Sequence, residues 1–131
     1  MSIPEKVVDL LRDKNIAFFA TISSDGSPHV VPVWVDFHAG YIVVNTTTAR
    51  VKYKNLKRDP RVTISIVDRN DPYNAAMIKG RVVEEVTGRE AEEHIDAMAK
   101  KYLGLDRFPF RVDGEERVML KIMAEKVVPI P

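Results

Sequence analysis

Between residues 16 and 47 the chain reads as three β-type runs separated by two short turn signals. The first run is Ile16-Ala17-Phe18-Phe19-Ala20-Thr21-Ile22. The turn Ser24-Asp25-Gly26-Ser27-Pro28 leads into a second run over residues 30–37, and His38-Ala39-Gly40 leads into a third over residues 41–46. Links this short close antiparallel hairpins. A parallel crossover needs about a dozen residues or more. The expectation is therefore an antiparallel meander and not a regular alternation of strand and helix.

The remaining elements fit around that frame. Ser2 and Glu5 have capping-box spacing, and Val7, Leu10 and Leu11 give a helical stripe over about residues 3–14. Residues 49–58 read as a short helix stopped near Asp59-Pro60, and residues 61–68 as a fourth strand. After a loop at residues 69–72, residues 75–86 read as a long fifth strand, with Gly80 a bulge or a point of close approach. Thr87 and Glu90 again have capping-box spacing. Ala91, Ile95, Met98 and Tyr102 then share a helical face that Gly104 is placed to stop. Residues 105–115 form a loop containing Phe108-Pro109-Phe110, and residues 117–122 a sixth strand. The expected architecture is mainly β: a six-stranded antiparallel sheet closing into a small barrel, with short helices flanking its openings. At 131 residues this is one domain, residues 1–131. Its core is thin, and a homodimer would bury more surface.

Composition removes several function classes. There is no cysteine, which excludes disulfides, thiolate catalysis and cysteine-ligated metal. The net charge of +1 does not describe a general polyelectrolyte binder. No apolar run approaches the ~20 residues of a membrane span, and the first residues read as a helix start, not as a leader. The expectation is a cytoplasmic domain with neither nucleic acid nor membrane as partner.

The charge is unevenly placed, however. Residues 50–61 carry Arg50, Lys52, Lys54, Lys57, Arg58 and Arg61 against Asp59 alone. On a helical wheel Arg50, Lys54, Lys57 and Arg58 share one side, whereas Lys52 falls toward Leu56. A lysine turned to the apolar face near a helix N-terminus suits an anion, and Thr46, Thr47 and Thr48 upstream offer hydroxyls. The alternative is a solvated basic helix with Lys52 snorkelling to water. Both stay open at this point. His29, His38 and His94 lack metal-ligand spacing, and no nucleophile–base–orienter set is visible. Trp34 is either core or the wall of a slot for a flat ligand. Tyr73, Phe108 and Phe110 read first as packing.

These residues carry a resemblance. The stretch Ala20-Thr21-Ile22-Ser23-Ser24-Asp25-Gly26-Ser27-Pro28-His29-Val30-Val31-Pro32-Val33-Trp34 resembles the opening of the pyridoxamine 5′-phosphate oxidase-like split-barrel flavoproteins. So does Asn45-Thr46-Thr47 followed by Arg50-Val51-Lys52-Tyr53-Lys54-Asn55-Leu56-Lys57-Arg58-Asp59-Pro60-Arg61-Val62. The similarity spans nearly the whole chain and is strongest to the short branch that uses the deazaflavin coenzyme F-420 in place of FMN.

The resemblance implies a split barrel paired as a homodimer, with the coenzyme in a groove between subunits. Arg50 and Lys52 match positions that hold the coenzyme phosphate, and Asn55 lies in the same motif. Pro32, Val33 and Trp34 match the strand along the ring system, and Asn45, Thr46 and Thr47 the strand end beside the ribityl–phosphate chain. Tyr73, Met77 and Lys79 match positions reaching across from the partner. Oxidases of vitamin B6 phosphates carry a basic C-terminal segment where this sequence has Val127-Val128-Pro129-Ile130-Pro131, so a different small-molecule substrate is expected.

Four readings follow, of which a nucleic-acid binder using the basic stripe from Arg50 to Arg61 ranks last, because only Tyr53 is interleaved as an aromatic platform and the net charge is only +1. The first is hydride transfer from reduced F-420 to a small unsaturated or quinone-like acceptor, with the proton from a tyrosine or a water. The second is an FMN-binding flavin reductase or oxidase. The third is a coenzyme carrier without turnover.

Overall fold

The structure, a computed structural model, describes residues 2–130. Its elements in chain order are α1 (Glu5–Arg12), β1 (Ala17–Ile22), β2 (Pro28–Val33), β3 (Asp36–His38), β4 (Tyr41–Thr47), α2 (Val51–Arg58), β5 (Arg61–Asp68), β6 (Asp71–Thr87), α3 (Arg89–Leu103) and β7 (Arg117–Ile130). All strand pairs are antiparallel, in the order β2-β1-β5-β6-β7-β4-β3. The expected barrel is present, with seven strands among the described residues instead of six.

The extra strand comes from residues 30–37, which do not form one strand. β2 pairs with β1 at one end of the sheet, and β3 pairs with β4 at the other. The chain passes between the two sheet ends through Trp34 and Val35 alone. The two hairpins are real, but they are not neighbours, so the meander expected from the short links is absent. The covalent step at residues 34–35 is what brings the two edges of the sheet together.

Alternation sets the interior. Phe19, Ile64 and Ile78 lie side by side on β1, β5 and β6, and each is fully buried. Ile42, Val44, Leu120 and Ile122 complete the same core from β4 and β7, and Val7, Leu10 and Leu11 of α1 close over it. Gly80 meets both sequence expectations. A register shift falls between Lys79 and Gly80, and a Cβ there would collide with the Met123 carbonyl. A second shift between Val82 and Glu84 lets the long β6–β7 ribbon bend around the core.

Neither expected capping box forms. The N-cap of α1 is Pro4, and that of α3 is Gly88, because Thr87 is still paired with Val118 in the ladder. Asp71 already belongs to β6, so the loop expected at residues 69–72 shrinks to a turn, and β7 runs on to Ile130, beyond the strand expected at residues 117–122. Among the described residues no helix is long and apolar enough to cross a membrane.

Candidate functional site

The site is built at the crossover. Trp34 and Val35 leave the ladder, so their backbone groups need other partners. The last turn of α3 supplies those of Val35. The Tyr102 phenol accepts from the Val35 N–H at 3.1 Å and donates to the Asn15 carbonyl at 2.6 Å. The Lys101 amine donates to the carbonyls of Val35 (2.6 Å) and Leu11 (2.9 Å) and lies 3.6 Å from the Asp36 carboxylate. Burial pushes the Tyr102 phenol up to about 12 and lowers the Lys101 ammonium against the opposing pull of Asp36. Trp34 is held by rings: Tyr102 stacks on it at 5.3 Å and 5°, and Phe108 meets it edge-on at 5.9 Å.

Trp34 forms part of the wall of a cleft of about 370 Å³. The apolar part is Pro32 and Val33 from the end of β2, Ile95 and Met98 from α3, Phe108 and Phe110 from the following loop, and Ile16. The polar part is Asn45 and Thr46 from β4, Arg50 and Lys52 at the start of α2, and Arg117 at the start of β7. The lining contains no carboxylate, histidine or tyrosine.

Three cations thus face one cleft. Burial lowers the Lys52 ammonium, and the charges of Arg50 and Arg117 lower it further. Among the described residues neither Arg50 nor Lys52 has an ion pair or a side-chain hydrogen bond. The Thr46 hydroxyl and the Arg117 Nε are buried without a partner. Uncompensated positive charge beside orphaned donors is an anion site, and the aromatic and aliphatic walls beside it suit a flat apolar body. The residues therefore fit a phosphate-bearing coenzyme with a planar ring.

Asn45 ties the cleft to α3. Its amide nitrogen donates to the Ala91 carbonyl (2.9 Å) and to His94 Nδ1 (3.0 Å), which puts the imidazole proton on Nε2. Burial holds His94 at about 4, so the ring is neutral near pH 7.

The basic segment divides as the wheel indicated for Lys52 but not for Arg50. Lys52 is partly buried and turned to the cleft, whereas Lys54, Lys57 and Arg58 are exposed. Lys57 pairs with Glu85 at 2.9 Å, and Arg58 donates to the Ile22 carbonyl and Asn55. Arg50 is the N-cap, with extended backbone (φ −76°, ψ 147°), so helical geometry does not apply to it, and it lines the cleft beside Lys52.

Other expected site residues lie elsewhere. Asn55 is buried beneath α2, where its amide donates to the Thr21 hydroxyl and its oxygen accepts from Arg58. It braces α2 on β1 and does not line the cleft. Thr47 is buried next to Thr46, outside the cleft lining, with its hydroxyl unpaired. Tyr73, Met77 and Lys79 sit on β6, away from the cleft of their own chain, and Lys79 lines a separate depression with Arg61 and Glu125.

Sequence reasoning passed over Arg117 and read Phe108 and Phe110 as packing. The one signal for Arg117 is a cation opening an apolar strand, at a position where burial is the rule.

Residues 3–130 match the family model described as pyridoxamine 5′-phosphate oxidase. The chain belongs to that family. Membership in the pyridoxamine 5′-phosphate oxidase family places it among flavin-type oxidoreductases and agrees with the split barrel seen here. Solved structures share the fold. An F-420 reductase has 24% identity and a TM-score of 0.83, covering 96% of this chain and 98% of its own. A conserved hypothetical protein of Mycobacterium tuberculosis has 23% identity and a TM-score of 0.73, covering 99% and 85%. An FAD-binding protein of Mesorhizobium loti has 17% identity and a TM-score of 0.66, covering 96% and 90%.

Proposed function

We propose that this protein is an oxidoreductase that binds coenzyme F-420 in the cleft and reduces a small unsaturated or quinone-like acceptor. The observation that carries the reading is the pairing of two free cations, Arg50 and Lys52, with an aromatic-walled slot in one cavity. Arg50 and Lys52 bind the phosphate, the Thr46 hydroxyl donates to it, and Pro32, Val33 and Trp34 orient the ring. When bound and reduced, such a coenzyme supplies a hydride. The chain contributes binding, orientation and exclusion of water. Among the described residues no carboxylic acid, histidine or tyrosine lines the cleft, and the Tyr102 phenol is tied to Asn15 and raised to about 12, so the accompanying proton comes from a water or from a tyrosine that a second copy brings to the cleft, such as Tyr73.

The choice of F-420 is supported by the solved F-420 reductase that shares the fold over nearly the full length of both chains. FMN is the second reading. It is favoured by the family's flavin chemistry and by the FAD-binding neighbour. Absorbance of the purified protein, with fluorescence titration of each coenzyme, separates the two. A yellow protein that keeps FMN through dialysis replaces the first reading with the second. Tight binding of either without reduction of any quinone supports a carrier.

A homodimer belongs to the same proposal. Pro32, Phe18, Ser65 and Met77 stand in one cross-strand row, and Phe18 and Val30 are exposed apolar residues on that face. The face reaches the cleft through Pro32. A second copy covering it buries Phe18 and Val30 and brings Tyr73, Met77 and Lys79 toward the opposite cleft. Light scattering across the micromolar range is expected to give a dimer. A monomer of 14.9 kDa throughout would refute this part.

A further inference from the structure

We propose that Arg117 is an anion ligand of the cleft, the third arm of a site that takes a doubly charged, phosphate-type group. The proposal rests on the coenzyme reading only for the molecule that carries the anion.

Arg117 opens β7 opposite Thr47, at the strand end from which the chain turns into α2. That register fixes its backbone beside the segment bearing Arg50 and Lys52, and its side chain lines the same cleft. It is only 7% exposed. A guanidinium so deeply buried is normally held by a carboxylate fork at close range. Here the contacts are long. One Nη donates to the Asn45 oxygen at 3.4 Å, and the other lies 3.5 Å from the Glu115 carboxylate. Nε is buried and has no partner. The ring of Phe108 lies against the guanidinium at 4.6 Å, which supports its plane but accepts none of its protons in a conventional hydrogen bond.

Charge balance points the same way. Glu115 is the only carboxylate within ion-pair reach of these three cations among the described residues, and at 3.5 Å it offsets one of them in part. About two positive charges remain, which a phosphate dianion matches, as does a phosphodiester with a neighbouring carboxylate. Thr46 supplies an independent indication: it is 3% exposed, lines the cleft, and its hydroxyl has no partner. A planar fork with a free Nε suits phosphate better than an ammonium at the same place.

The test uses the full chain and inorganic phosphate at pH 8, followed by thermal shift against sodium chloride of equal ionic strength. Wild type is expected to show a saturable rise in melting temperature. Arg117→Gln is expected to weaken the apparent affinity about tenfold or more, as Lys52→Ala does. Arg117→Lys, which keeps the charge but loses the fork, is expected to lose several-fold. Lys57→Ala is expected to match wild type. A bracing role alone would lower the melting temperature of Arg117→Gln in chloride and leave its phosphate response intact. That result, with Lys52→Ala impaired, overturns the proposal and spares the coenzyme reading. Should Arg117→Gln fail to fold, Arg117→Lys decides, since an unchanged phosphate affinity there is equally fatal. Wild type without a phosphate response overturns both. Repeating the series with F-420 and with FMN shows which carrier brings the second charge.

Discussion

Lys52→Ala is the most informative single perturbation, because function and stability are expected to move in opposite directions. In the free protein the Lys52 ammonium is partly desolvated and faces Arg50 and Arg117, and its pKa is lowered for both reasons. The unfolded chain therefore binds more protons at this position in the window below the ordinary lysine value. Stability rises with pH through that window, and the charged amine costs the fold stability at neutral pH. Removing it is expected to leave the melting temperature of the free protein unchanged or higher. Ligand binding reverses the balance. A charge-assisted hydrogen bond to phosphate contributes about 1.5–3 kcal/mol, so coenzyme affinity should fall roughly 10- to 150-fold. Arg50→Ala is expected to behave similarly, since Arg50 stands outside the helix and lines the same cleft. Lys57→Ala, an exposed residue paired with Glu85 outside the cleft, is expected to change affinity less than twofold. The assay is titration with F-420 and with FMN, read by Trp34 emission and by calorimetry, beside melting curves of the free variants. Equal loss of affinity in Lys52→Ala and Lys57→Ala would show a diffuse basic surface and refute the specific anion site.

Three further outcomes are expected. His94 is held neutral at about 4 by burial while its unfolded value is near 6.5, so acid favours the unfolded chain between those values. Wild type should lose about 2–3 kcal/mol more than His94→Gln on going from pH 7 to pH 4, measured by urea unfolding; parallel pH profiles would argue against the buried neutral ring. Gly80→Ala drives a methyl into the Met123 carbonyl and should cost about 1–3 kcal/mol or more, and a variant as stable as wild type would show that the β6–β7 approach is looser than described. Tyr102→Phe leaves the Asn15 carbonyl and the Val35 N–H without their partner and should cost roughly 1–3 kcal/mol. It should also raise hydrogen exchange at Val35, whereas unchanged exchange there would mean that Lys101 alone holds the crossover.

What could be read from residue order alone follows from local rules. The two hairpins, the stripes Val7–Leu10–Leu11 and Ala91–Ile95–Met98, the Gly104 stop and the bulge at Gly80 rest on periodicity, turn chemistry and backbone freedom, each confined to a few neighbouring residues. The inward turn of Lys52 was legible for the same reason, since a helix relates residues three and four apart whatever lies beyond it. The helical wheel alone set Arg50 apart from Lys52, whereas the family motif put the two together; the wheel fails there because one residue at a helix boundary takes extended backbone, and periodicity does not reveal where a helix begins. Asn55 belongs to the motif by sequence, yet its amide meets Thr21, a partner 34 positions away. Whether β2 and β4 are neighbours or stand at opposite ends of the sheet depends on which edges close, and that is settled by burial of the whole core, not by the turn between two strands. Arg117 shows the same limit: the chain places it some 65 residues from Lys52, and only the pairing of β4 with β7 brings both into one cleft. Local conformation is decided among adjacent residues, whereas the site is assembled by long-range strand pairing, whose energy comes from surface buried jointly by segments distant in the chain.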